Sequence, residues 1–509
     1  MSATLISPEL ASTISKFSIG CESGKNNGRP LMTTTHFKNV DWIVAWDDSL
    51  NGHGYLKGGD LVFTGNEITF IGRGYGGDSD KVIDGAGKCL IPGLVDIHGH
   101  PCTEVLYRGI REDHGVPAHY MTGLYERSCA YRADPEDLKY GAEVSYSDLM
   151  LSGVTTLADV TSPYPGWLDV MERSGLRMYA APGFNTASWR LPNGHELHVV
   201  DDIAKGKRDF QTALDIVDGF RAHPSGRLSG MVSPSQIENN TPEILMESYA
   251  AAKERGIPWT IHAAQAVLEF NIMVQRHGMT PIQFLAEHGL LGRGTIIAHA
   301  IFLDDNSWIR WHTKTDLKLL GDSHTAIAHC PTPFMRYGPV LENFARYREA
   351  GVVVGIGTDT LPHNFIEDMR YAAILARVAS RDAHAASTAD VFHAGTAGGA
   401  EALMRDDIGR LAVGAKADLV VLDLTNPVMM PVRDPLVSLI HSAAERAVKD
   451  VYIDGRQVVR DHEVITLDRE GAATRLAGAQ ARLEEGVPER DYAGRSSLEI
   501  SPLSLPELP

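Results

Sequence analysis

The chain has 509 residues, 43% of them hydrophobic, with a formal net charge of -18, enough for one large core and a smaller second one. The acidic balance excludes a nucleic-acid partner, whose phosphates need clustered Lys and Arg, and favours a small-molecule substrate. Five cysteines (Cys21, Cys89, Cys102, Cys129 and Cys330) contain no CxxC pair and exclude a disulfide framework or a thiolate metal site, and no apolar run is long enough for a membrane span.

Residues 1–34 are rich in Ser, Thr, Gly and Asn without a period and are expected to form a loosely ordered leader. They lack the basic-then-apolar plan of a secretory signal, so a cytoplasmic location is expected. From Asp41 to Leu90, short alternating runs (42–45, 60–63 and 68–71) separated by Gly-rich turns predict a small antiparallel sheet.

The texture then changes. Eight apolar runs alternate with stretches long enough for helices: 94–97, 155–157, 177–180, 230–232, 259–261, 295–298, 325–328 and 352–356. Runs of this kind suit parallel strands buried on both faces, and eight of them predict a closed (β/α)8 barrel of the TIM type, with functional residues at the C-terminal strand ends. Five runs do end in a His or an Asp: His98, His262, His299, His329 and, after Gly357-Thr358, Asp359. Beyond Leu403, short β patterns return at 419–422, 451–453 and 458–459. The expected division is a leader (1–34), a β-sandwich built from both chain ends (35–92 and 406–465), the barrel (93–405), and a C-terminal helix and tail (466–509) to which no chemistry is assigned.

In His98-Gly99-His100 the two imidazoles stand two residues apart in an extended chain and face the same side. Two neutral nitrogens suit zinc or ferrous iron, and a third histidine with a carboxylate completes a site that leaves room for water. His262 and Asp359 can supply those groups. An HxH pair alone is weak evidence; its recurrence with His, His and Asp at successive strand ends is not.

The segment Ile91-Pro92-Gly93-Leu94-Val95-Asp96-Ile97-His98-Gly99-His100 resembles the signature of the amidohydrolase superfamily. Thr260-Ile261-His262, Ile297-Ala298-His299, Ala328-His329-Cys330-Pro331, Gly357-Thr358-Asp359 and residues 414–424 resemble its later blocks. The resemblance spans about 38–460 and is nearest the branch of S-adenosylhomocysteine deaminases, guanine deaminases and triazine hydrolases. It implies metal ligands His98, His100, His262 and Asp359, with His299 bonded to the metal's water and Asp359 able to take that water's proton. The two-metal members bridge their ions with a lysine on the fourth strand. Here 230–235 has no lysine, so one divalent ion is expected, zinc ahead of iron.

The chain also departs from that branch. Its deaminases carry a glutamate three residues after the strand-five histidine, where this sequence has Gln265, which cannot deliver a proton but can hydrogen-bond a substrate. Glu104 and Glu269 are candidate replacement acids, and Ser233-Pro234-Ser235-Gln236 stands where adenosine-type members carry a ligand-binding histidine. Gln265, His329 and Glu104 are expected to contact substrate. Tyr107, Trp167, Trp189 and Phe334 are candidate walls for a planar ring, while His324 and His363 read as loop residues. The expected activity is displacement of an amine, halide or sulfide from an electron-poor carbon of a nitrogen heterocycle by metal-activated water. The alternative is hydrolysis of a cyclic amide, urea or carbamate. A homodimer or higher homo-oligomer is expected.

Overall fold

The computed structural model describes residues 32–342 and 344–508, so the expected leader lies outside it as far as residue 31. Strands from both ends of the chain share one nine-stranded sheet. Its order runs Glu463–Val464, Arg456–Arg460, Val448–Ile453, Leu419–Asp423, Lys88–Pro92, Thr34–Asp47, Gly52–Thr64, Glu67–Gly72, with Lys81–Asp84 added beside Thr34–Asp47. The two ends meet where Lys88–Pro92 pairs antiparallel with Leu419–Asp423, Leu90 facing Val421.

The antiparallel expectation is corrected here, because the sheet is mixed: Thr34–Asp47 runs parallel to both Lys81–Asp84 and Lys88–Pro92. The reason is the return of the chain after Gly72 to the start of Thr34–Asp47, where the Asp80 amide donates to the Thr34 carbonyl. The sheet also curls. Phe37 and Tyr452 stand three strands apart in hydrogen-bonding order, about 14 Å in a flat sheet, yet their ring centroids are 5.6 Å apart in one apolar cluster with Leu61, Leu90 and Leu419.

The middle of the chain builds two parallel sheets. One pairs Leu94–Gly99, Val154–Thr161, Arg177–Phe184 and Leu228–Gly230, with Ser233–Pro234 also on Arg177–Phe184; the other pairs Trp259–Ala263, Thr295–His299, Ala326–His329 and Val353–Ile356. Isolated parallel bridges join them on both sides, Val232 to Trp259 and Gln236 to His262 on one, Gly99 to Asp359 on the other. One buried cluster takes Val95, Val160, Tyr179, Ile296 and Ala328 from both sheets. The fourth expected run, 230–232, is shifted: the strand stops at Gly230 and resumes at Ser233, and Met231 is buried in that shared cluster.

Apart from the break between Leu228–Gly230 and Ser233–Pro234, helices lie between successive strands of these two sheets, and the caps are written in the sequence. Thr241 accepts the Ile244 amide ahead of Pro242–Arg255, which ends at Gly256 with φ 61°, and Thr280 with Gln283 makes a capping box for Pro281–Glu287. The expected C-terminal helix is Arg469–Glu485. The tail beyond it packs against the segment after His100. Ser501 Oγ donates to the Ile110 carbonyl (2.7 Å), Tyr131 and Ser497 hydroxyls are 3.1 Å apart, and Arg495 pairs with Glu126. Among the described residues, four cysteines are free and no helix is long and apolar enough to cross a membrane.

Candidate active site

The strand ends bring the expected ligands to one point. His98 and His100 close Leu94–Gly99, and Asp359 follows Val353–Ile356. The two segments are laced together by His100 N to Asp359 O and Asp359 N to His98 O, both 2.9 Å. Between them Gly357 is required, since a Cβ there would fall 2.7 Å from the His98 carbonyl oxygen. His299 (φ 84°) and Asp359 (φ 57°) hold left-handed backbone that non-glycine residues seldom adopt, strain of about 1–3 kcal/mol each that clusters at functional sites.

Asp359 Oδ1 lies 3.3 Å from His98 Nε2 and 3.2 Å from His100 Nε2, and His100 Nε2 lies 3.2 Å from His262 Nε2. One ligand atom each from His98, His262, His299 and Asp359 falls within a 4.8 Å span. Ligand atoms 3.2–3.3 Å apart are close enough for one divalent cation to be held between them at about 2.0–2.2 Å from each. His100 Nδ1 contacts the Val160 carbonyl and His262 Nδ1 the Ser235 carbonyl, each at 2.5 Å. Those contacts put the proton on Nδ1 and leave the Nε2 lone pair facing inward. Nδ1 of His98 and Nδ1 of His299 are buried without a hydrogen-bond partner. Buried polar atoms are rarely left so, and a divalent ion fits this donor set.

Burial decides the protonation of the rings. It holds His98 and His262 below the ordinary histidine range and pushes His299 down to about 3, with neighbouring imidazoles adding to the effect on His262. Neutral rings are the form that binds metal. At His100 burial acts the same way, but the Asp359 carboxylate outweighs it and the pKa is raised. Burial alone would raise Asp359; its close contacts with the imidazoles of His100 and His98 hold it well below the usual carboxylate range. Behind them Asp96 accepts from the His98 amide (3.1 Å) and Thr358 Oγ1 (2.6 Å), tying the two ligand-bearing segments, and burial raises it to about 7.

A cavity of about 290 Å³ opens onto this point. Gln265 and Glu104 line it, as do Tyr107, Trp189 and Phe334, the last packed edge-on against His299 with 4.6 Å between ring centroids. Gln265 donates to Gln236 Oε1, and Glu104 pairs with Arg111. Glu269 is not among the lining residues. It is fully buried and its carboxylate accepts the amides of Ala264 (2.6 Å) and Gln265 (2.8 Å), so it braces the loop beneath the substrate face. His329 is buried against Phe344 and does not line the cavity. Trp167 is buried and donates to Asp159, outside the cavity, while His324 is exposed and His363 lies 3.3 Å from Thr358 Oγ1. Sequence reasoning missed Arg111, Arg127 and Tyr337 in the cavity wall; the arginines of the long segment after His100 were the available signal.

Residues 89–458 match the model of the amidohydrolase family. A 5-methylthioadenosine/S-adenosylhomocysteine deaminase of Natronomonas pharaonis is 30% identical over 82% of this chain and 91% of its own length. A 5'-deoxyadenosine deaminase of Methanothermobacter thermautotrophicus is 28% identical over 86% of this chain and 100% of its own. The fold is similar to that of an adenosine deaminase from Xanthomonas campestris with bound zinc (TM-score 0.76, 21% identity, 89% of this chain and 99% of that one). It is also similar to that of an atrazine chlorohydrolase from Arthrobacter aurescens complexed with zinc (TM-score 0.75, 22% identity, 88% and 100%). With the family model matched across both the ligand-bearing strand ends and the sheet that joins the two chain ends, this chain belongs to the amidohydrolase family.

Proposed function

We propose that the chain is a mononuclear metal-dependent hydrolase that displaces an amine from an electron-poor carbon of a nitrogen heterocycle, with halide or sulfide as further leaving groups. The observation that carries this reading is the convergence of His98, His100, His262 and Asp359 at the cavity floor. The deaminase relatives favour the amine. We read the two bridged parallel sheets as one closed (β/α)8 barrel over 93–405, and 35–92 with 406–465 as one β-sandwich, for which the curl between Phe37 and Tyr452 is the support.

His98, His100, His262 and Asp359 would hold one divalent ion, zinc by analogy with the zinc-bound structures of similar fold. Bound there, the ion supplies hydroxide at neutral pH by lowering the pKa of its water. Asp359, a carboxylate at neutral pH, takes the proton of the attacking water and carries it to the departing amine. Neutral His299, fixed by Phe334, orients the water toward the ring carbon. Gln265 and Gln236 offer carboxamides to the ring edge without exchanging protons. Carbon–oxygen bond formation and carbon–nitrogen cleavage then leave an intact oxo-substituted ring and ammonia. The test is a screen of zinc-loaded protein against purines, pterins, triazines, hydantoins and thio-heterocycles, following product mass. A displaced substituent on an intact ring is the expected product.

A further inference from the structure

Away from the histidines, the cavity wall carries a buried guanidinium that pairs with no carboxylate among the described residues. Arg127, on helix Leu124–Ala130, is 3% exposed, lines the cavity and has no carboxylate within ion-pair distance among the described residues. Its partners are the Tyr337 hydroxyl at 3.4 Å and the face of Tyr107 at 5.3 Å. The adjacent acid, Glu126, is spent elsewhere, accepting from His114 (2.7 Å) and Arg495. Arg111, 5% exposed in the same wall, pairs with Glu104, but its Nε is buried without a partner. With Asp359 held against His98 and His100, the two guanidiniums of this wall share one ion-paired carboxylate, Glu104, a local surplus of one positive charge. Tyr337 registers that surplus. Burial alone would raise its phenol, yet the charges of Arg127 and Arg111 outweigh it and hold the pKa below the ordinary value.

A buried cation without a counter-charge is costly, and one that faces a ligand cavity is matched when the ligand supplies the anion. We propose that Arg127, Arg111 and Tyr337 form a subsite for a carboxylate on the heterocyclic substrate, so that the enzyme acts on acidic rather than neutral rings. The proposal rests on the function given above and names the substrate class of that same site. Arg127 offers a planar fork matched to a carboxylate, Arg111 Nε offers one more N–H, and the Tyr337 hydroxyl can donate beside them. One surplus charge suits a monoanion and undercompensates a phosphoryl dianion. With the carboxylate anchored in this wall, the opposite edge of the ring is left to Gln265, Gln236 and the histidine cluster.

The test compares pyrimidine-4-carboxylate, pyrimidine-4-carboxamide and pyrimidine-4-phosphonate by calorimetry on full-length, zinc-loaded protein and on its Arg127→Met and Arg127→Lys variants. The carboxylate should bind at least about tenfold tighter than the carboxamide, as expected for added charge-assisted bonds, and tighter than the phosphonate. Arg127→Met should bring carboxylate and carboxamide within about twofold, and Arg127→Lys should keep part of the preference. Because the variant removes an uncompensated buried charge, the Tm of unliganded Arg127→Met should not fall below that of the wild type, whereas a purely structural arginine would lower it. Equal binding of carboxylate and carboxamide, no binding of either, tightest binding of the phosphonate, or a preference that survives in Arg127→Met would each overturn the subsite. A carboxylate preference without displacement on any ring would overturn the proposed reaction and leave the subsite standing. Equal turnover of neutral and acidic rings would do the reverse.

Discussion

Gln265 donates through Nε2 to Oε1 of Gln236, so two carboxamides, neither able to titrate, close the side of the cavity next to His262. In the proposed reaction the proton for the leaving group comes from Asp359, the carboxylate within 3.3 Å of two histidines. Restoring a carboxyl by Gln265→Glu should raise turnover of an amino-substituted ring relative to its chloro analogue, up to the ~10²–10⁴-fold value of a general-acid step. Steady-state rates on a matched pair of substrates, with zinc content checked, measure this. An amine preference unchanged by the substitution would place the proton on another group, with Glu104 the next in the cavity.

Metal content is the second expectation. With three Nε2 atoms and one carboxylate converging and no lysine within 230–235, purified protein should carry about one divalent ion per chain, and His98→Ala or His262→Ala should lose metal and activity together. Elemental analysis decides it; two ions per chain at full activity would reject the mononuclear site.

Arg177 and Asp418 join the parallel strands to the mixed sheet. Arg177 Nε and Nη2 donate to the two oxygens of Asp418 at 2.9 and 3.1 Å, and Nη2 also reaches Asp454 at 3.1 Å, all but sealed from solvent. Removing one side leaves a buried charge unmatched, so Arg177→Met should cost about 3–5 kcal/mol, most of it recovered in Arg177→Met with Asp418→Asn. Urea unfolding of the single and double variants measures it. A loss under about 1 kcal/mol, the scale of an exposed pair, would contradict the buried geometry.

His53 sets part of the acid limit. Burial, with the charges of His393 and Arg410, pushes it down to about 3, and it shares a 3.0 Å contact with Thr396 Oγ1. The unfolded chain protonates this residue near pH 6.5 while the folded chain keeps it neutral, so the unfolded state binds more protons between about pH 6.5 and 3. Stability is therefore unaffected by His53 above that window and lost as pH falls through it. His53→Gln should flatten the fall of Tm with acid relative to wild type, and equal slopes would contradict the assignment.

Much of this architecture could be read from residue order, and the parts that could not share a physical cause. Seven of the eight apolar runs overlap strands closely, because a strand buried on both faces leaves an unbroken apolar signal. The fourth is interrupted where Met231 turns into the shared core, and apolarity alone does not distinguish a paired residue from an unpaired one. The candidate ligands stood out, the HxH pair through its spacing and His262 and Asp359 through their places at the ends of apolar runs. The carbonyls of Val160 and Ser235 that orient two of those rings did not, since every residue carries a carbonyl. Arg111, Arg127 and Tyr337 lie in irregular or short helical segments without a period, and their meeting depends on tertiary packing. The C-terminal tail, given no role from its composition, braces that same wall through Arg495 and Ser501.

The most direct test of the account is turnover in oxygen-18 water of the best heterocycle from the screen, with products resolved by mass before and after removal of the metal by a chelator. The convergence of His98, His100, His262 and Asp359 on one point predicts a single labelled oxygen on an intact ring, an unlabelled leaving group, loss of the reaction on chelation and its return with zinc. Label found in the carboxyl group of a ring-opened product, or turnover that survives metal removal, would contradict it.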